Sequence, residues 1–267
     1  GAYMHDPIIS EKLNDPESGK IYCRLLRDVL YSAMGGHIEL FETGGAPIPN
    51  EVENLLVHQL QLPFITGDGM TECAPIISFG PPGEYVTKSC GEYVHEVLDL
   101  KIDSEDQNNI AGEVLVKGDC VFAGYYKNDA ATSACFTEDG WFRTGDMGTV
   151  DNKINLFLVG RCKNMLLSSN GENIYPEEIE AALINLPYIT ETVVVQRDQR
   201  LVALIVINED KVAAANLDSG ALESVMRANI MNMNKKLAGY AQVSDFEIRN
   251  EPFAKTPKGS IKRFLYK

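Results

Sequence analysis

The stretch Gly140-Trp141-Phe142-Arg143-Thr144-Gly145-Asp146, followed a strand-length later by Gly160-Arg161-Cys162-Lys163-Asn164, decides the reading of this chain. An acidic side chain that closes a tight Thr-Gly turn can accept hydrogen bonds from both hydroxyls of a ribose. An arginine one strand further on can reach the same sugar or its phosphate. Asp146 and Arg161 are therefore the leading candidates for nucleotide contact, set against the blander readings of a turn aspartate and a surface ion pair.

The totals narrow the classes of function. The chain has 267 residues, 45% of them hydrophobic, enough for one compact domain joined to part of another. A formal net charge of -14 argues against nucleic-acid binding, because a phosphate backbone would be repelled. The longest apolar run, Leu201 to Ile207, has the length of a buried strand and falls short of the ~20 residues that span a bilayer. Cysteines at 23, 73, 90, 120, 135 and 162 include no Cys-x-x-Cys pair, and only His95 lies near one of them, so zinc is not expected. The opening residues lack an apolar signal core, and reduced thiols in a cytoplasmic protein are the expectation.

Along the chain, Ile21, Leu25, Val29 and Ala33 recur every four residues and stop at Gly35-Gly36, which predicts an amphipathic helix with a glycine cap. A strand is expected over 37–43, a turn at Gly44-Gly45-Ala46-Pro47, a helix carrying Val52, Leu55, Leu56 and Leu60, and a second strand from Pro63 into Gly67-Asp68-Gly69. That order is the one found in a doubly wound sheet, where ligands collect at the carboxyl ends of strands. After residue 83 the texture changes to short strands (97–102, 112–117, 153–159), which predicts an antiparallel or barrel-like subdomain. From Arg161 onward a helix starting at Pro176, paired strands 192–196 and 201–207, and a helix from Leu222 to Leu237 predict a small α+β domain. The expected division is thus 1–160, with a sheet segment to about 83 and a β-rich segment from 84 to 160, followed by 161–267.

Other residues can carry chemistry. Gly67-Asp68-Gly69-Met70-Thr71-Glu72 sets glycines, a hydroxyl and a carboxylate at a strand end, where backbone can approach a ligand and Thr71 and Glu72 can hold a phosphate oxygen and Mg2+; an ordinary glycine turn is the competing reading. The segment 112–118 with Gly124-Tyr125-Tyr126 reads as a solvent-exposed strand pair without chemistry. The stretch from Pro252 to Lys267 gathers bases in an acidic chain, which suits a phosphate or carboxylate partner.

Together and in this order, these stretches resemble the late motifs of the adenylate-forming superfamily, which includes acyl-CoA synthetases, luciferases and the adenylation domains of peptide synthetases. The resemblance extends over nearly all of the 267 residues. It implies that Gly45, Ala46 and Pro47 line the adenine pocket, with Asp68, Gly69 and Met70 beside it, although Asp68 stands where the family has an aromatic residue. It also implies Thr71 near the α-phosphate, Glu72 on Mg2+, Asp146 and Arg161 on the ribose, Lys163 as the hinge between a large and a small domain, and Gly171 on the pantetheine arm of coenzyme A. Ser260 occupies the place of the family's catalytic lysine, with Lys262 two residues on as a substitute.

The ending 255–266 resembles the bacterial long-chain fatty acid-CoA ligases, which implies fatty acid activation by ATP to acyl-AMP and thioester formation with coenzyme A. Loading of a carrier protein, or a non-catalytic AMP-binding remnant, are the alternatives. No Gly/Ser/Thr-rich loop ending in lysine occurs in the sequence, so the chain is expected to need a further N-terminal part of the same enzyme and to lack ATP turnover by itself. Peripheral membrane contact through the substrate and the oligomeric state are left open.

Overall fold

A computed structural model of the chain describes residues 12–13, 15, 17–44, 48, 50–81, 83–256 and 259–266. It divides into two compact units, residues 1–162 and 163–267.

In the first unit the four-residue apolar repeat forms helix α1 (Gly19–Ala33), whose Ile21, Leu25 and Val29 are exposed. Strand β1 (Phe41–Gly44) lies parallel to β2 (Phe64–Gly69), with Phe41 opposite Phe64 and Gly44 opposite Gly67. The predicted helix between them begins as the α-turn α2 (Asn50–Glu53) and runs on as a π-helical turn over Asn54–Gln59. Glu53, at the junction of the two turns, is buried, and its carboxylate accepts from the Lys88 backbone N–H at 2.6 Å and from the Tyr85 hydroxyl. Strands β3 (Ile76–Phe79) and β4 (Glu92–Tyr93) extend the sheet antiparallel, so the doubly wound expectation is met here by one parallel pair inside a mixed sheet.

The second sheet is an antiparallel meander of β5 (Leu98–Asp103), β6 (Gly112–Gly118), β7 (Phe142–Val150) and β8 (Leu156–Arg161), with the short helix α3 (Asp129–Ala134) between β6 and β7. It is open, so of the two expected forms the antiparallel sheet is the one present. Two readings need correction. The run ending at Asp146 is no turn but the middle of β7, kinked where Gly145 adopts φ +74° and the pairing with β6 slips between Glu113 and Leu115. Such an irregularity bends a strand without ending it, and glycine suits it because φ is positive. Nor is β6 solvent-exposed: it sits between β5 and β7, with Val114, Leu115 and Val116 all buried. The core of this unit joins Cys73 and Ile77 to Leu98, Val114, Val116, Phe142 and Leu156.

In the second unit β9 (Leu166–Leu167) and β10 (Asn173–Ile174) form a small hairpin before helix α4 (Pro176–Leu183). Pro176 with Glu177 and Glu178 in the first turn is the expected helix start: a missing N–H costs nothing there, and acidic groups meet the positive end of the helix dipole. Strands β11 (Ile189–Arg197) and β12 (Arg200–Ile207) pair antiparallel across Asp198-Gln199. Helices α5 (Glu209–Ala214) and α6 (Ser219–Asn234) then carry the chain to β13 (Val243–Arg249), which joins β12 in parallel. A parallel return demands such a crossover. The unbroken apolar run of β12 now has a cause, since both of its faces are buried. Ala203 and Ile205 pack with Ile179, Leu183, Leu222, Met226 and Ile230 of the helices, while Leu204 and Val206 pack with Phe253 and Tyr266 of the tail.

Candidate nucleotide site

The site grows from the end of β2. Phe64, Ile65 and Thr66 anchor the strand in the interior, and Asp68 lies opposite Ser78 before the ladder slips at Gly69. A Cβ on Gly69 would stand 2.1 Å from the Pro75 carbonyl oxygen, so only glycine lets the two backbones pass. Met70 then donates its N–H to that same oxygen at 2.7 Å, and Thr71–Cys73 make one 3-10 turn. Thr71 is left exposed and Glu72 half-buried.

Glu72 has a partner the sequence did not reveal. Its Oε1 accepts from the Tyr125 hydroxyl at 2.8 Å, and its carbonyl accepts from Phe122 N–H at 2.8 Å. The bond to Glu72 is the main reason that the Tyr125 phenol is pushed up to about 12. The Phe122 ring, packed between Tyr125, Phe136 and Phe142, supports this contact. Nothing in Gly124-Tyr125-Tyr126 itself announced this bond, which joins residues far apart in sequence.

Asp146 and Arg161 stand directly opposite one another on β7 and β8. Arg161 Nε lies 2.7 Å from Asp146 Oδ1, and the side chain of Asp146 is 11% exposed against 48% for Arg161. Below them Thr144 organises the backbone: its hydroxyl donates to the Val114 carbonyl at 2.8 Å and accepts from Asp146 N–H at 3.1 Å, while its own carbonyl accepts from Arg161 Nη1 at 3.4 Å.

Electrostatics ties the two parts together. Burial raises the Asp68 carboxyl above its ordinary range, opposed by the Gly69 N–H and by the Arg161 guanidinium. Cys90 is pushed up to about 12 by burial, with Asp68 and Asp146 both adding to the shift. Asp68, Asp146 and Arg161 therefore share one neighbourhood. Burial makes this carboxyl harder to ionise, which works against the repulsion an extra carboxylate would exert on phosphates.

An acceptor carboxylate beside a half-exposed guanidinium can hold vicinal hydroxyls and an adjacent phosphate. Among the described residues no three His, Cys, Asp or Glu side chains gather to hold a metal. Glu72 alone suits Mg2+, which binds through one or two carboxylates and completes its shell with water and phosphate oxygens. Gly45, Ala46 and Pro47 lie outside the described residues, just past the end of β1.

The remaining candidates belong to the second unit. Lys163 is exposed in the short turn Cys162–Asn164, and Gly171, at φ +82° with open space around it, sits in the β9–β10 turn closed by Gly171 N–H to the Ser168 carbonyl at 3.0 Å. Beside that turn is a cavity of about 480 Å³ whose walls include Ser168, Asn170, Arg200, Tyr240 and Ser244. Near the end of the chain Lys255 and Ile261 bridge as an antiparallel pair. Ser260 is exposed on the turn between them, its N–H donating to Thr256 Oγ1 at 3.2 Å, and Lys262 follows with its N–H on the Ala254 carbonyl at 2.8 Å.

Comparison with known proteins adds a second line of information. Residues 13–126 match the family described as AMP-binding enzyme, and residues 163–266 match the AMP-binding enzyme C-terminal domain. Indoleacetate-CoA ligase of Aromatoleum aromaticum is 35% identical over 202 residues, a match covering 72% of this chain and 38% of that protein. Long-chain-fatty-acid-CoA ligase 1 of Cavia porcellus is 30% identical over 203 residues, covering 74% of this chain and 29% of the relative. The chain thus spans well under half the length of these relatives. Among solved structures, the adenylation domain of a carboxylate reductase from Mycobacterium chelonae superposes with a TM-score of 0.78 at 22% identity over 96% of this chain and 41% of that one. O-succinylbenzoate coenzyme A synthetase of Bacillus subtilis in complex with AMP gives 0.71 at 24% over 91% and 49%. At these identities the structural likeness speaks for the fold.

Proposed function

This chain belongs to the AMP-binding enzymes, and from that premise we propose that it forms the ribose, magnesium and thiol-acceptor side of an acyl-CoA ligase. The reaction we assign joins a carboxylic acid to ATP as acyl-AMP with release of pyrophosphate, after which the thiol of coenzyme A displaces AMP to give the thioester. The observation that carries the proposal is the cross-strand ion pair of Asp146 and Arg161, with the guanidinium half-exposed at the end of β8.

In this reading Asp146 accepts from the ribose hydroxyls while Arg161 turns toward the sugar or its phosphate. Thr71, exposed beside Gly69 and Met70, donates to the α-phosphate, and Glu72, kept in place by Tyr125, holds Mg2+, which neutralises phosphate charge when bound. The family resemblance assigns the adenine contact to Gly45, Ala46 and Pro47. Lys163 serves as the hinge, Gly171 leaves room for the pantetheine arm, and the polar cavity beside it suits the rest of coenzyme A. Lys262 supplies positive charge in place of Ser260, which has none to offer a developing phosphorane. The outer phosphates require a glycine-rich loop from the N-terminal part of the enzyme.

A long-chain fatty acid is the substrate we propose, supported by the basic ending and by a relative of that activity. Ser260 favours a second reading, an AMP-binding module without adenylation. Calorimetry separates the possibilities: saturable AMP binding by the chain that is lost in Arg161→Ala is expected, and absence of any AMP binding would sink both readings. Carboxylate-dependent ATP-pyrophosphate exchange, measured once the chain is joined to a phosphate loop, then distinguishes ligase from module.

A further inference from the structure

We propose that Glu180 and Arg263 are positioning residues, which clamp the tail segment bearing Lys262 onto helix α4 so that this segment and the entry to the second unit move as one body. The proposal rests on the reading of Lys262 given above for its functional meaning, but the clamp itself stands on geometry within residues 163–267.

Arg263 follows Lys262 directly and is only 18% exposed. Its Nη2 contacts Glu180 Oε2, and its Nε lies 3.9 Å from Glu177 Oε1, one turn earlier on the same helix. Glu180 is fixed from its other oxygen, Oε1 accepting the Val194 N–H of β11 at 2.5 Å. Glu177 is fixed in turn by Asn164 Nδ2, which donates to its Oε1 at 2.6 Å, and Asn164 adjoins Lys163. A chain of contacts thus runs from the residue after the expected hinge, through two carboxylates of α4, to the residue after Lys262.

The segment is held from its other end as well. Glu191 binds Lys255 Nζ at 2.5 Å through Oε1 and Phe253 N–H at 3.0 Å through Oε2, and the Tyr266 hydroxyl accepts from Ala254 N–H at 2.7 Å. Lys262 sits between these two anchorages, its N–H donating to the Ala254 carbonyl at 2.8 Å. Removing one partner of a buried, hydrogen-bonded charge pair strands the other, so the clamp is stiff. Burial pushes Glu180 up to about 7 against the pull of Arg263 and Val194 N–H, with Glu177 adding to the rise.

Amide hydrogen exchange on the purified chain tests this. In Arg263→Met and in Glu180→Gln, the Lys262 amide and its neighbours over 253–262 are expected to lose protection by roughly tenfold or more, while amides of Leu204 and Ile205 keep theirs. Because Arg263 lies on the tail and outside the apolar core, its variant remains informative if Glu180→Gln fails to fold. Unchanged protection at Lys262 in Arg263→Met overturns the clamp. A loosened tail with unaltered pyrophosphate exchange in the loop-bearing enzyme would instead overturn the role given to Lys262 and leave the clamp intact.

Discussion

Replacing Asp146 by Asn separates a ligand contact from a fold contact. The change keeps the shape of the side chain and removes its charge. Arg161, the partner at 2.7 Å, is 48% exposed and stays solvated when the carboxylate is lost, so the folded state should give up no more than about 1 kcal/mol. Nucleotide binding is a different matter. A hydrogen bond to a charged group contributes about 1.5–3 kcal/mol, and at 1.4 kcal/mol per decade this is a loss of roughly 10- to 150-fold in AMP affinity. Urea unfolding followed by circular dichroism gives the first quantity, and isothermal titration calorimetry with AMP gives the second. A folded Asp146→Asn protein that binds AMP as tightly as the parent would refute the assignment of the ribose to this residue. A stability loss above about 2 kcal/mol with intact affinity would show that the pair serves the sheet.

Three further outcomes are expected. Gly69→Ala forces a Cβ to within 2.1 Å of the Pro75 carbonyl, which should cost about 1–3 kcal/mol and shift the Met70-Thr71-Glu72 turn; AMP affinity unchanged in a stable variant would count against that turn as part of the site. Burial lifts the Glu180 carboxyl from 4.5 to about 7, so the folded protein holds this proton more tightly than the unfolded chain. Its contribution, roughly 3 kcal/mol, is full below the unfolded value and lost as pH rises through about 7. Unfolding of the second unit at pH 5 and pH 8 should show a fall that Glu180→Gln flattens, and parallel profiles would remove Glu180 as its source. Met226→Ala empties a site with no solvent exposure in the helical core of that unit and should cost about 2–5 kcal/mol by chemical denaturation, whereas a change below about 1 kcal/mol would mean that the core closes around the gap.

Much of the fold was legible because single-period patterns dominate it. The four-residue repeat of Ile21, Leu25 and Val29, the Pro176 start and the apolar run from Leu201 each correspond to an element at nearly the expected place. What escaped was structure without a clean period. Strand β7 hid behind Gly145, whose positive φ and slipped register look locally like a turn. Strand β13 buries only Val243 fully, so no alternation marks it.

At the site, the motif named Asp146 and Arg161, but only the β7–β8 register explains why they meet. Asp68 was visible as an oddity of charge, while the burial that raises its carboxyl belongs to three dimensions. The Tyr125–Glu72 bond and the Arg263 clamp join residues far apart in sequence, and neither has a local pattern to announce it.

Strand β13 also bears on what happens when the chain is shortened. It is the partner that covers one side of β12, and β12 is apolar on both of its faces. A proteolytic nick or a premature stop between Asn234 and Val243 would expose a long hydrophobic strand with a free row of N–H and C=O groups, which is a template for pairing with other copies. Such a shortened form should collect in the insoluble fraction rather than persist as a weakened, soluble protein.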